Sequence, residues 1–189
     1  MNAMDVSLAS LWLPILVSSI IVFVSGFLLH MVVPHHRTDF SRLPDEDGMR
    51  DAARNLPRGE YVFPYASTPS EMKDPTYIEK ANSGPVGLLF IGPRGVGPSG
   101  KTLGLHFIFV MVISLMAGYV ASASLPVGTD YLKVFQIIGA AAWLGHAGAI
   151  SLNSIWFFTS WSSSLKNILD GLVYALLTAG TFGWLWPGA

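Results

Sequence analysis

The 189-residue chain has no cysteine. That absence excludes disulfide staples, thiolate metal centres and iron–sulfur clusters. Charge is also scarce. Asp, Glu, Lys and Arg make up 12% of the residues, about half the ~25% usual for a soluble domain, while apolar residues reach 51%. The scarcity is uneven: 18 of the 23 charged residues lie between Arg37 and Lys101, leaving five for the other 124 positions. This distribution excludes a soluble globular domain and a disordered chain. It fits an integral membrane protein with one polar segment.

What is present is a set of long apolar runs. A helix needs roughly 20 apolar residues to cross a hydrocarbon core about 30 Å thick. Four stretches qualify: Leu11 to Val33, Leu103 to Leu125, Val134 to Phe158 and Ile168 to Trp186. Lipid-exposed backbone must satisfy its own hydrogen bonds, so these are expected to be helices. The alternating polarity of transmembrane strands is absent. The first run is longer than a signal-peptide core, lacks a basic flank and a convincing cleavage site, and reads as a retained helix.

Lys and Arg favour cytoplasmic loops. Nine of the eleven lie between Pro34 and Thr102, and Lys166 lies in the link from Thr159 to Asn167. The opposite side carries only Lys133. The expected fold is therefore all-α and membrane-embedded. Residues 1–33 form an outer tail and helix 1, residues 34–102 a cytoplasmic segment, and residues 103–189 helices 2 to 4, with both termini outside.

The segment of about 69 residues is small for an independent core but patterned. Pro44 followed by Asp45, Glu46 and Asp47 marks a helix start, with acids at the positive end of the dipole, and that helix is expected to reach Asn55. Glu60 to Tyr65 and Pro85 to Ile91 read as extended pieces. Ser70 to Ala81 reads as a second helix weakened by Pro75. Together they predict a small α+β cap.

Gly95-Val-Gly-Pro-Ser-Gly-Lys101-Thr102 matches the phosphate-loop pattern G-x-x-x-x-G-K-[ST]. The pattern needs a nucleotide-binding sheet and a magnesium-binding aspartate. Here a membrane span follows. The segment therefore reads as a Gly/Pro hinge with Lys101 reaching the interface, or as a helix start that attracts a lipid phosphate.

Small residues recur every four positions at Gly171, Ala175, Ala179 and Gly183, at Ala141, Gly145 and Ala149, and at Ser114, Gly118 and Ser122. Such faces let helices approach closely, either within this bundle or against a partner. Ionisable residues inside a membrane invite a functional reading. His30, His106, Asn153, Lys166 and Asp170 all fall near the inner boundary, and His146 lies mid-span. Lys166 and Asp170 are spaced to pair with each other. His35 and His36, just past the first span, are expected to be solvated. His146 needs a hydrogen-bond partner, with Tyr119 and Tyr174 as candidates, or a ligand. His30 and His106 could together ligate haem. His146, Asn153 and Asp170 could line an ion path.

His30-Met-Val-Val-Pro-His-His-Arg37 resembles a family of uncharacterised bacterial integral membrane proteins. So do Asn153-Ser-Ile-Trp, Ser160 through Gly171, and the stretch ending at Pro187. The resemblance implies a bacterial inner-membrane location and brings no activity or catalytic residues.

No nucleophile, acid–base pair or metal cluster with diagnostic spacing stands out. The expectation is a non-enzymatic membrane protein, an accessory, assembly or structural subunit with lipid and other membrane subunits or itself as partners, and no nucleic acid. No cofactor and no metal are expected. The alternatives are a small oligomeric transporter or channel, and a haem-binding protein.

Overall fold

A computed structural model describes residues 5–95 and 97–188. The chain divides into two compact units, Ser41–Gly97 and the remainder.

The larger unit is a helical bundle. A short 3₁₀ turn at Leu8–Leu11 leads into α1 (Trp12–Phe27), which runs on through a π-helical turn at Leu28–Val32 and, after Val33, a 3₁₀ turn at Pro34–Thr38. The bundle is completed by α4 (Gly100–Ser122), α5 (Tyr131–Ala147), the short α6 (Ile150–Trp156) and α7 (Trp161–Trp184). α1 packs on α4 and α7, and α5 packs on the same two helices, closing a four-membered ring.

Among the described residues, three helical stretches are long and apolar enough to cross a membrane: Leu8–Val32, Gly100–Ser122 and Tyr131–Trp156. The third is interrupted at Gly148 and Ala149. The expected fourth span does not meet the same standard. α7 has the length, at 24 residues, and carries two charges, Lys166 and Asp170, but its serine, glycine and threonine content leaves it less apolar than the other three. Ser160 starts it early: its side chain accepts from Ser163 N–H, supplying the N-cap that the hydropathy reading overlooked.

The bundle is apolar outside and mixed inside, where small and hydroxylated residues sit among buried apolar ones. Ile20, Val24, Phe109, Met116, Leu144 and Leu176 are exposed, while Ser18, Ser19, Ser114, Ser164 and Thr178 are buried. Ser18 and Ser114 hydrogen-bond across α1 and α4 at 3.1 Å. The small-residue faces are used inside the bundle. An added Cβ at Gly171 would lie 3.0 Å from the Ala147 methyl of α5, and one at Gly118 would lie 3.2 Å from the buried ring of Phe182. Close approach of this kind replaces the hydrophobic drive that lipid cannot provide.

The apolar core, including Leu11, Ala121, Val134, Phe182 and Trp186, draws in the end of the bundle where three chain segments meet. Asp5 bridges Pro126, Gly128 N–H donates to Pro187 O at 2.8 Å, and the Trp186 indole donates to Pro126 O at 3.1 Å.

The smaller unit contains α2 (Glu46–Ala53), α3 (Pro75–Ser83) and an antiparallel hairpin of β1 (Gly59–Phe63) and β2 (Gly87–Ile91). Asp45 caps α2 by accepting from Gly48 N–H at 2.9 Å. Pro75 does not weaken a helix. It occupies the first turn of α3, where its missing N–H costs nothing, and Asp74 caps that helix through Thr76 N–H. The expected earlier start at Ser70 is a separate 3₁₀ turn at Glu71–Lys73.

Gly171→Ala should destabilise the bundle by about 1–3 kcal/mol, because the methyl it meets cannot rotate away. Gly104→Ala, with no atom within 4 Å of the added carbon, should be neutral or gain up to ~1 kcal/mol of helix propensity. Thermal unfolding of both variants in mild detergent checks the pair.

Candidate functional site

The site forms where α1 ends. The π turn at Leu28–Val32 is closed by Val33 N–H donating to Leu28 O, five residues back, at 3.0 Å. Such turns are rare and concentrate at functional sites. Val33 is then extended (φ −76°, ψ 129°), as a residue before proline is pushed to be. The 3₁₀ turn at Pro34–Thr38 folds back against α7. This reversal brings His30, His35, His36 and Asp39 around Asp170.

Asp170 is 5% exposed. It lies nine residues into α7, about 13 Å along the helix at 1.5 Å per residue. His35 Nε2 donates to its Oδ1 at 3.1 Å, and His36 Nε2 lies 2.7 Å from its Oδ2. His30 Nε2 is 4.0 Å from the same Oδ2. The His30 and His36 rings stack with centroids 4.3 Å apart, and His35 tilts against His36 at 4.1 Å.

The far sides of two imidazoles are also fixed. His30 Nδ1 lies 3.1 Å from Gly26 O. A carbonyl only accepts, so this nitrogen carries a proton. His36 Nδ1 lies 2.6 Å from Asp39 Oδ2. Asp39 is held in turn by Lys166, whose Nζ donates to Asp39 Oδ1 at 2.7 Å and to Thr38 Oγ1 at 2.8 Å. Burial opposes charge on His36, but hydrogen bonds and Coulombic attraction from Asp170 and Asp39 outweigh it and raise its pKa above the ordinary histidine value. Hydrogen bonds from Lys166 and then His36 hold the Asp39 carboxyl well below the usual range.

Two sequence expectations are corrected here. Lys166 and Asp170 do not pair with each other: Lys166 takes Asp39, and Asp170 takes the histidines. His35 and His36 are not solvated. The His36 side chain is 11% exposed and the His35 side chain 29%, with His35 Nδ1 buried and without a hydrogen-bond partner among the described residues.

Of the residues singled out from sequence, His30 and Asp170 come together. His106 is exposed, with its ring 5.7 Å from Phe23. His146 meets Tyr174 edge-on at 5.4 Å, but its buried Nε2 has no hydrogen-bond partner among the described residues. Asn153 is exposed, and its backbone carbonyl accepts from Phe157 and Thr159. The phosphate-loop match includes Val96, outside the described residues; Ser99 caps α4 by accepting from Thr102 N–H at 3.2 Å.

The residues missed by sequence reasoning are His35, His36 and Asp39. A usable signal was there: a Pro-His-His run that ends a helix, with an aspartate three residues after the second histidine.

His30, His36 and Asp170 are the group whose ligand atoms could hold a metal, all lying within 4.8 Å of one another. Chemically the cluster can bind a cation or share a proton between imidazole and carboxylate. His36→Ala leaves two buried carboxylates without their shared donor. It should lower stability by about 2–4 kcal/mol, against ~0.5 kcal/mol or less for Asn153→Ala at an exposed position, both read from thermal unfolding in mild detergent. No protein-family model, curated protein or solved structure matches this chain.

Proposed function

We propose that this chain is a non-enzymatic, four-span protein of a bacterial inner membrane whose working part is a cation-binding cluster on the cytoplasmic side. The observation that carries the reading is the buried carboxylate of Asp170, met by His35 and His36 from a segment that folds back to reach it. A buried ionisable group at the edge of a membrane span is costly, and it persists where it has work to do.

Several features support α7 as the fourth crossing. It packs along α5 as the most extensive helix pair of the bundle. Its end, at Trp186 and Pro187, is tied to the same α4–α5 turn that Asp5 touches. From Gly171 to Trp184 it carries no charge. The surplus of Lys and Arg around Arg37, Arg42, Arg94, Lys101 and Lys166 supports the cytoplasmic side for the cluster. Docking of a partner subunit through the small-residue faces has less to stand on, because Gly118 and Gly171 are already packed within the bundle.

Ion translocation is the second reading. It is favoured by the interrupted helix at Gly148, two residues from the unpartnered His146 Nε2, since broken helices line pathways in transporters.

The absence of cysteine makes single-cysteine labelling clean. An impermeant maleimide should label Ala9→Cys, Ser124→Cys and a cysteine appended after Ala189 from outside intact cells. Asn82→Cys and Ser162→Cys should react only after permeabilisation. Labelling of Ser162→Cys and the appended cysteine from one side would remove the fourth span, and an inverted pattern would remove the cytoplasmic placement. Flux of protons or alkali ions through proteoliposomes, lost in Asp170→Asn, would replace the binding reading with translocation.

A further inference from the structure

We propose that His30 Nε2, His36 Nε2 and Asp170 Oδ2 form a mononuclear site for a divalent transition-metal ion. The inference rests on the cation-binding reading above and names its ligand.

The first support is convergence. The three ligand atoms lie within 4.8 Å of one another and come from three elements, the π turn, the 3₁₀ turn and α7, the last more than 130 positions away in sequence. The second is tautomer control. Ligand histidines almost always donate their other ring N–H to a carbonyl or carboxylate, which turns the remaining lone pair toward the metal. Both candidates do so: His30 through Gly26 O, and His36 through Asp39. Lys166 then fixes Asp39, adding a further layer that orients the ligand.

The third support is the division of labour on Asp170. His35 occupies Oδ1, so Oδ2 is the oxygen presented to His30 and His36. The 4.0 Å between His30 Nε2 and Oδ2 is too long for a hydrogen bond. Around one tetrahedral ion, bonds of about 2.0–2.2 Å place ligand atoms roughly 3.3–3.6 Å apart, so this pair would close by about half an ångström, and the stacked His30 and His36 rings would tilt so that both in-plane lone pairs meet the ion. The 2.7 Å contact between His36 Nε2 and Oδ2 is a hydrogen bond, which would open by about half an ångström for the ion to replace the shared proton.

Two imidazoles and one carboxylate, in a chain without cysteine, suit zinc, iron(II) and their neighbours rather than copper(I). Three protein ligands leave open positions on the ion. The His30 side chain is 45% exposed, which gives the ion a way in.

The test uses the full chain in mild detergent, stripped with a chelator and titrated with Co²⁺, whose visible absorption reports coordination, then with Zn²⁺ in competition. Thermal unfolding is followed with and without metal. One Co²⁺ per chain, displaced by Zn²⁺, is expected, together with a higher unfolding midpoint on adding Zn²⁺. His30→Gln should weaken binding at least tenfold. It should leave the metal-free midpoint nearly unchanged, because His30 is partly exposed and only stacks and caps locally. Asp39→Asn should weaken binding about 10–100-fold through His36.

No cobalt spectrum and no zinc-dependent shift would overturn the metal site. So would a His30→Gln variant that binds as tightly as the original chain. A midpoint raised only by Ca²⁺ or Mg²⁺ would also overturn it, while keeping the broader cation-binding reading. The labelling pattern is independent of metal, so a failure of topology and a failure of coordination are read separately.

Discussion

A buried carboxylate has to be answered, and the irregular backbone between Leu28 and Thr38 is the answer to Asp170. An ionised carboxylate out of water costs several kcal/mol unless paired and hydrogen-bonded. α7 itself offers nothing suitable, because its one cation, Lys166, is engaged by Asp39. The answer therefore comes from α1, by way of a widened π turn, an extended Val33 and a tight 3₁₀ reversal. Each departs from regular helix, and together they deliver three imidazoles to one side chain.

The packing of the bundle makes this possible. Glycine and alanine between α5 and α7, and serine between α1 and α4, bring the backbones close without large side chains in the way. Many large apolar residues face outward as well, while the interior mixes apolar side chains such as Val22, Ile138 and Phe182 with the buried hydroxyls of Ser18, Ser19, Ser114 and Ser164. Polar groups are thus present along the interior before the cluster at its end is reached.

Much of the architecture was legible in the sequence because it is written in long apolar runs. Three stretches agree with the structure within a few residues at each end. The helix start at Pro44 to Asp47 was legible too, although Asp45 proves to be the cap rather than a first-turn acid. The site was only half legible. His30 and Asp170 stand out as ionisable residues in apolar runs, whereas His35 and His36 follow a proline and look like the start of a wet loop. Their burial depends on the chain folding back onto a helix more than 130 positions later in sequence, which hydropathy along the chain does not encode. The Lys166–Asp170 pairing failed for a related reason. Spacing within one helix describes which side chains could meet, and a better-placed carboxylate at Asp39 took the lysine.

The position of Asp39 has a mechanical consequence. The bundle gives way to the second unit between Phe40 and Ser41, so the salt bridge to Lys166 anchors the chain one residue before it leaves. This is one of two places where the chain passes between the units. Fraying of the bundle that starts at Ser41 therefore meets, past the exposed Phe40, a residue already tied to both Lys166 and His36.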